Sequence, residues 1–208
     1  NLIEALKSPA LRIAAGFLAL WCFSPAFGTP LYYHMVDNLG FDQRFIGQLN
    51  ALTAAGAVAG AYIFLRFFAD KTVVFRAVFS ISAACIGVLS YLALAQPHAN
   101  AASIAIPLNL FVGMVAQIGT LTIFSMAAGA CPPKAEGFAF AALMSLYNGT
   151  EQFSAVIGAR LYQHVFERQL EPLLWVAAIS FLLCFALVPQ LHRLGKNSVD
   201  PNGVAVAS

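Results

Sequence analysis

Apolar residues fall into six long runs separated by short polar breaks. The runs are Ala10–Val36, Phe45–Phe68, Val73–Ala95, Ala102–Ala130, Gly137–Val165 and Leu170–Leu191. Each reaches the roughly 20 residues a helix needs to cross a bilayer. Strands of a membrane β-barrel would alternate over about ten residues, and no such alternation is present. The pattern predicts an all-α membrane protein of six transmembrane helices over residues 1–192. Short loops make neighbouring helices antiparallel. The polar, Gly- and Pro-punctuated stretch 193–208 is expected to be a disordered tail.

Polar positions inside the runs are few and ordered. The fifth run carries Glu151 near its middle. A carboxylate at that depth costs several kcal/mol unless it faces protein or water. On a helical wheel, Tyr147, Asn148, Ser154, Ala155, Gly158 and Tyr162 lie within about 60° of it. Leu143, Leu146, Phe153 and Ile157 form the apolar remainder. Two readings follow: a substrate or proton site, or a carboxylate paired inside the bundle. We expect Glu151 to face the concave side of the bundle. In the fourth run Asn109, Gly113, Ala116, Gln117, Thr120 and Phe124 share one face within about 80°. That stripe reads either as ligand contacts or as interhelical hydrogen bonds.

The first run contains Ser24-Pro25-Ala26-Phe27-Gly28-Thr29-Pro30, followed by Leu31-Tyr32-Tyr33. Two prolines and a glycine this close predict a bent or unwound helix between Ser24 and Pro30. Broken helices of this kind mark binding sites and gates in transporters; the alternative is a kink that only adjusts packing. In the second run Ala54–Ala61 is all alanine and glycine but for Val58, with Gly56 and Gly60 spaced as G-x-x-x-G. It predicts a surface of close helix approach. The third and sixth runs look lipid-facing and suit scaffold helices. Asn148-Gly149-Thr150 matches a glycosylation acceptor, but at membrane depth.

Composition supports this class. The chain is 60% hydrophobic and 10% charged, with a mean hydropathy of +0.78, against about 25% charge in a soluble domain. A net charge of +2 gives no footprint for nucleic acid. Its distribution is informative. Lys7, Arg12, Arg66, Lys71, Arg76, Lys134, Arg193 and Lys196 lie at one end of the bundle, and Arg44, Arg160 and Arg168 at the other. The positive-inside rule puts the termini in the cytoplasm, across an inner or plasma membrane. Asp37, Asp42, Glu167 and Glu171 then lie outside, with His34, His98 and His164. Cys22, Cys85, Cys131 and Cys184 form no C-x-x-C pair and read as small membrane hydrophobes. The four histidines have no metal spacing, and no motif requires a cofactor. The first run is too long for a signal peptide and lacks an A-x-A site. The chain opens on Asn, so further sequence is expected upstream.

Together these features resemble the C-terminal half of a major facilitator superfamily transporter, over roughly residues 10–192. Ser24 to Tyr33, with Leu39-Gly40-Phe41 and Phe45-Ile46-Gly47 after it, resembles the folate–biopterin transporter family. Cys131-Pro132, Glu136, Phe140-Ala141, Ser145 and Asn148 do so too. The resemblance implies a twelve-helix protein of two six-helix halves around a central cavity. The first, second, fourth and fifth spans here would line it, and the third and sixth would sit behind. The superfamily's loop signature would lie in the absent half. Arg66, Asp70 and Lys71 occupy the matching place here only as a degenerate echo.

The leading expectation is therefore half of a secondary transporter, a symporter in type. It would move a small polar organic solute, folate- or pterin-like, by alternating access. Glu151 would carry a proton or pair with the substrate. Asn109, Gln117, Asn148 and Ser154 would supply polar contacts, and Tyr32 and Tyr33 part of an outer gate. The expected partners are membrane lipid, the missing N-terminal half, the solute and protons. An intramembrane enzyme lacks support: there is no G-x-S-x-G, no H-E-x-x-H and no Asp cluster. A self-contained, non-transporting six-helix subunit is the remaining alternative. Half a transporter should leave Glu151 and the Gly56 face unfinished; a closed bundle would bury both.

Overall fold

Asp42 and Thr72 each stop one loop and start one helix. Their side-chain oxygens accept the backbone N–H of Phe45 at 2.6 Å and of Phe75 at 3.2 Å, capping donors that a first turn leaves free. The computed structural model describes residues 8–191. Seven α-helices occupy them: α1 (Pro9–Cys22), α2 (Gly28–Asp37), α3 (Gln43–Ile63), α4 (Val73–Ser90), α5 (Ala101–Gly129), α6 (Glu136–Arg160) and α7 (Leu170–Leu183). There is no strand among the described residues. The tail expected after residue 193 lies outside them.

The helices build six rods, the first made of α1 and α2. By length and composition, four rods can cross a membrane: Gln43–Phe68, Val73–Leu94, Ala101–Gly129 and Leu170–Leu191. The first rod is divided into a 14-residue and a 10-residue helix. The fifth is long enough, but its polar residues leave it outside that set.

The break in the first rod surrounds Pro25 and falls in the first part of the expected Ser24–Pro30 stretch. Phe23 to Phe27 are non-helical, and Pro30 sits in the first turn of α2. There its missing N–H has no helical partner to lose. Pro30 thus helps to start α2 rather than to break it.

The rods pair as two triplets with matching roles. α3 packs along α5, and α1 packs along α6. α4 lies against α5, α1 against α7, and α4 against α7. Exchanging rods one to three for rods four to six maps this set onto itself. The second and fifth rods both end in π-helical turns, Phe64–Phe68 and Leu161–Val165. The third and sixth both continue into 3-10 turns, Tyr91–Leu94 and Cys184–Leu187.

Apolar side chains fill two clusters. One, at the end nearer the chain termini, holds Phe17, Leu18, Ile81, Ile123 and Leu143. The other, at the far end, holds Leu31, Leu49, Leu94, Leu108 and Leu173. The third rod is more enclosed than its composition suggests. Ala77, Ser80, Ile81, Cys85 and Val88 are buried, and half of its most apolar window is covered by protein. Its serines explain part of this: Ser80 shares a 2.9 Å hydrogen bond with Thr122 of α5.

The α3–α5 crossing overturns the expectation that the Gly56 face stands open. A Cβ at Gly56 would meet the Leu110 carbonyl, one at Gly60 the Met114 carbonyl, and one at Gly113 the Thr53 carbonyl. The G-x-x-x-G surface is spent on the chain's own fifth helix, backbone against backbone. The physical reason is reciprocity: Gly113 offers α3 the same missing side chain that Gly56 and Gly60 offer α5.

Candidate functional site

The second close crossing, α1–α6, differs from the first because one partner is unwound. Gly158 packs against the backbone of Ala26, where a Cβ would not fit. Ala26 N–H donates to the Ser154 carbonyl at 3.3 Å. The Ser154 hydroxyl donates to the Ser24 carbonyl, and the Ser24 hydroxyl donates to the Ala177 carbonyl at 3.1 Å. Non-helical backbone at membrane depth needs such partners. Residues 24–26 are therefore held between α6 and α7 by two serine hydroxyls and one backbone bond, not by helix geometry.

Glu151 lies one turn before Ser154 on α6. It lines a cleft of about 200 Å³ with Ser24, Pro25, Ala26, Tyr147 and Ser154. Trp21, Cys22, Phe27 and Phe181 complete the wall; Trp21 and Phe181 meet edge to face at 5.0 Å. The Glu151 side chain is exposed to this space and has no hydrogen-bond or ion-pair partner among the described residues. Tyr147 is fixed by an edge contact with Phe124 of α5, with ring centres 5.5 Å apart. A carboxylate, three hydroxyls and freed backbone thus converge on one cleft, beside apolar rings. Such a set can bind a hydrogen-bonding solute or exchange a proton.

On the other side of the same crossing runs an apolar groove of about 590 Å³, between Ala19, Leu20 and Phe23 of the first rod and Ser145, Leu146 and Phe153 of α6. The carboxylate side and the apolar side are separated by the crossing itself.

The other predicted residues are distributed more widely. Ser154 is buried and joins Glu151 at the cleft, as described. Asn148 is exposed on α6, one turn before Glu151. Gln117 is half-buried on α5 and does not line the cleft. Asn109 is buried. Its Oδ1 accepts from Thr53 at 3.3 Å and Tyr91 at 3.4 Å, and its Nδ2 donates to the Ala105 carbonyl at 2.8 Å. It ties α3, α5 and the turn after α4, away from Glu151. Tyr32 and Tyr33 stand on α2 at the far end, both exposed. Their rings meet edge to face at 5.6 Å, and Tyr32 donates to Gln43 Oε1 at 3.0 Å.

Sequence reasoning missed three groups. The sequence marks Ser24 as part of a break and gives no sign that it donates to α7. The charge pattern puts His34 on the outer side of the membrane and says nothing of its burial; it is 2% exposed. Asn38 Nδ2 donates to its Nδ1 at 3.2 Å, so Nε2 carries the proton and donates to the Leu94 carbonyl at 2.9 Å. Asp37 and Arg168, far apart in the chain, line one recess at the far end of the bundle. The i, i+4 spacing of His34 and Asn38 was the one local signal available for any of them.

Residues 2–203 match the profile of the BT1 family. The chain belongs to that family. It is 26% identical over 200 residues to the folate-biopterin transporter of Synechocystis sp. (strain ATCC 27184 / PCC 6803 / Kazusa), an alignment that covers 92% of this chain and 40% of that relative. The chain thus spans less than half the length of the curated relative it matches. No solved structure matches it. The BT1 match, with four helices long and apolar enough to cross a bilayer, makes this an integral membrane protein.

Proposed function

We propose that the chain is the C-terminal six-helix half of a secondary transporter of the major facilitator type. It moves a small polar organic solute, folate- or pterin-like, by alternating access. The observation that carries the reading is the unpartnered Glu151 facing backbone freed by the break in the first rod. An ionisable group at membrane depth, next to a discontinuous helix, is the arrangement by which transporters hold solutes and ions. The name of the Synechocystis relative supports the substrate class. In this reading all six rods cross the membrane over residues 1–192, the termini are cytoplasmic, and the protein is not an enzyme.

Glu151 binds a proton or a donor group of the solute, and Ser154 holds the unwound segment against it. Asn148 and Gln117 face the missing half and contribute once the cavity is complete. Tyr32 and Tyr33 form part of the outer gate. The two halves rock about the shared cavity while each stays internally rigid.

The alternative, a self-contained six-helix subunit, gains from the closed Gly56 crossing. The wide exposed face of α6, which includes Phe138, Phe153 and Val156, and the unpaired Glu151 weigh against it. The deciding experiment is uptake of radiolabelled biopterin and folate into proteoliposomes that contain the full-length protein, with and without an inward proton gradient. Gradient-driven accumulation of either solute is the expected result. No uptake of either, from a folded and reconstituted protein, would overturn the proposal.

A further inference from the structure

At the far end of the bundle, α2 and the end of the fifth rod enclose a second polar recess of about 240 Å³. Tyr33, Asp37 and Asn38 line it from the first rod, Tyr162 and Gln163 from the π turn, and Arg168 from the loop before α7. It is separate from the Glu151 cleft: the two share no lining residue.

Asp37 and Arg168 face the same space with opposite sign, yet they form no ion pair within 4.0 Å among the described residues. Both lie within electrostatic reach of the Tyr162 hydroxyl. Arg168 is not simply a loose loop residue. It and Glu167 adopt left-handed backbone, with φ of 62° and 49°, which is uncommon for residues other than glycine. The Arg168 N–H donates to the Tyr162 carbonyl at 2.8 Å, and Gln169 N–H donates to the Phe166 carbonyl at 2.7 Å. These bonds hold Arg168 at the recess.

The size and the walls narrow the ligand. The volume is below the roughly 300–1,000 Å³ of a drug-sized site, so it fits one ring system and not a long conjugate. The exposed ring of Tyr33 offers an aromatic face, which favours a planar guest over an aliphatic one. A carboxylate accepts two parallel N–H donors, and a guanidinium donates to a carbonyl oxygen. The amides of Asn38 and Gln163 can do either.

We propose that this recess captures a planar heteroaromatic ring that presents two adjacent N–H donors beside a carbonyl, as a 2-amino-4-oxo-pyrimidine edge does. Asp37 takes the donor edge, Arg168 the carbonyl oxygen, and Tyr33 the ring face. This rests on the proposed substrate class and places a first contact at the far end of the transport path, ahead of Glu151.

The test is equilibrium binding of biopterin to the purified full-length protein in detergent, for wild type, Asp37→Asn and Arg168→Gln. The control probe is the lumazine that keeps the biopterin side chain and differs only by oxygen in place of the 2-amino group. Neither side chain makes a hydrogen bond within the described residues, so both variants should keep the wild-type melting temperature. The expected result is a Kd for biopterin raised roughly tenfold or more in each variant. The lumazine should bind wild type weakly and be indifferent to Asp37→Asn. Unchanged biopterin affinity in both variants overturns the proposal, and so does a wild-type protein that binds biopterin no better than the lumazine. The transport reading is tested separately. Uptake with unchanged affinity in the variants removes the recess and keeps the transporter; binding lost in Asp37→Asn without any uptake by wild type does the reverse.

Discussion

Ser154 and Ser24, 130 residues apart, are joined by a hydrogen bond from the Ser154 hydroxyl to the Ser24 carbonyl. The bond links the one unwound stretch of the first rod to the helix that carries Glu151. Because Ala26 N–H returns a bond to the Ser154 carbonyl, a single residue of α6 satisfies both an acceptor and a donor of the break. Ser154→Ala should leave the Ser24 carbonyl buried without its partner. Loss of one partner of a buried pair costs about 1–3 kcal/mol, so the full-length protein should melt a few degrees lower and transport more slowly. An unchanged melting curve would show that the clasp is not needed to hold the break.

Gly158→Ala tests the same crossing by volume. A methyl group there would strike the Ala26 backbone, which cannot rotate away as a side chain can. The expected cost is about 1–3 kcal/mol or more, read as poor recovery of folded protein by size exclusion. Gly149→Ala, on the same helix with nothing within 4 Å, is the matched control and should behave as wild type.

Asn109→Ala separates stability from binding. The side chain makes three hydrogen bonds within the chain and lies away from the Glu151 cleft. Thermal unfolding should therefore show a loss of about 1–3 kcal/mol, while the KM for transport stays at the wild-type value. A raised KM at normal stability would return Asn109 to the binding site.

Glu151→Gln should do the opposite. The carboxylate has no partner to lose, so stability should change by no more than about 0.5 kcal/mol. Uptake should fall, and its dependence on an imposed proton gradient should flatten, because the amide cannot exchange a proton. A variant whose uptake still follows the gradient would exclude Glu151 as the proton carrier.

Gly113→Ala probes the closed α3–α5 crossing, where the new methyl would meet the Thr53 carbonyl. Expression should yield little folded protein, by the same overpacking argument. Gly47→Ala, on α3 but with open space beside it, should be tolerated. Equal behaviour of the two would mean that the helices do not approach as closely as described.

The sequence by itself determined the class, the six rods and the break in the first, because hydropathy over 20 residues and the chemistry of proline act locally. It also singled out Glu151, since one carboxylate in an apolar run stands out without reference to any neighbour. Only the tertiary structure decided what each face meets. The Gly56 stripe signalled close approach, but not that Leu110 and Met114 would fill it. The polar stripe of α5 gave Asn109 a direction, but not Thr53 and Tyr91 as its partners. Ser24 and Ser154, His34 and Leu94, and Asp37 and Arg168 come together only when rods far apart in the chain pair. A helical wheel fixes a side chain's angle about its own axis; the identity of whatever lies at that angle belongs to another helix, and packing chooses it.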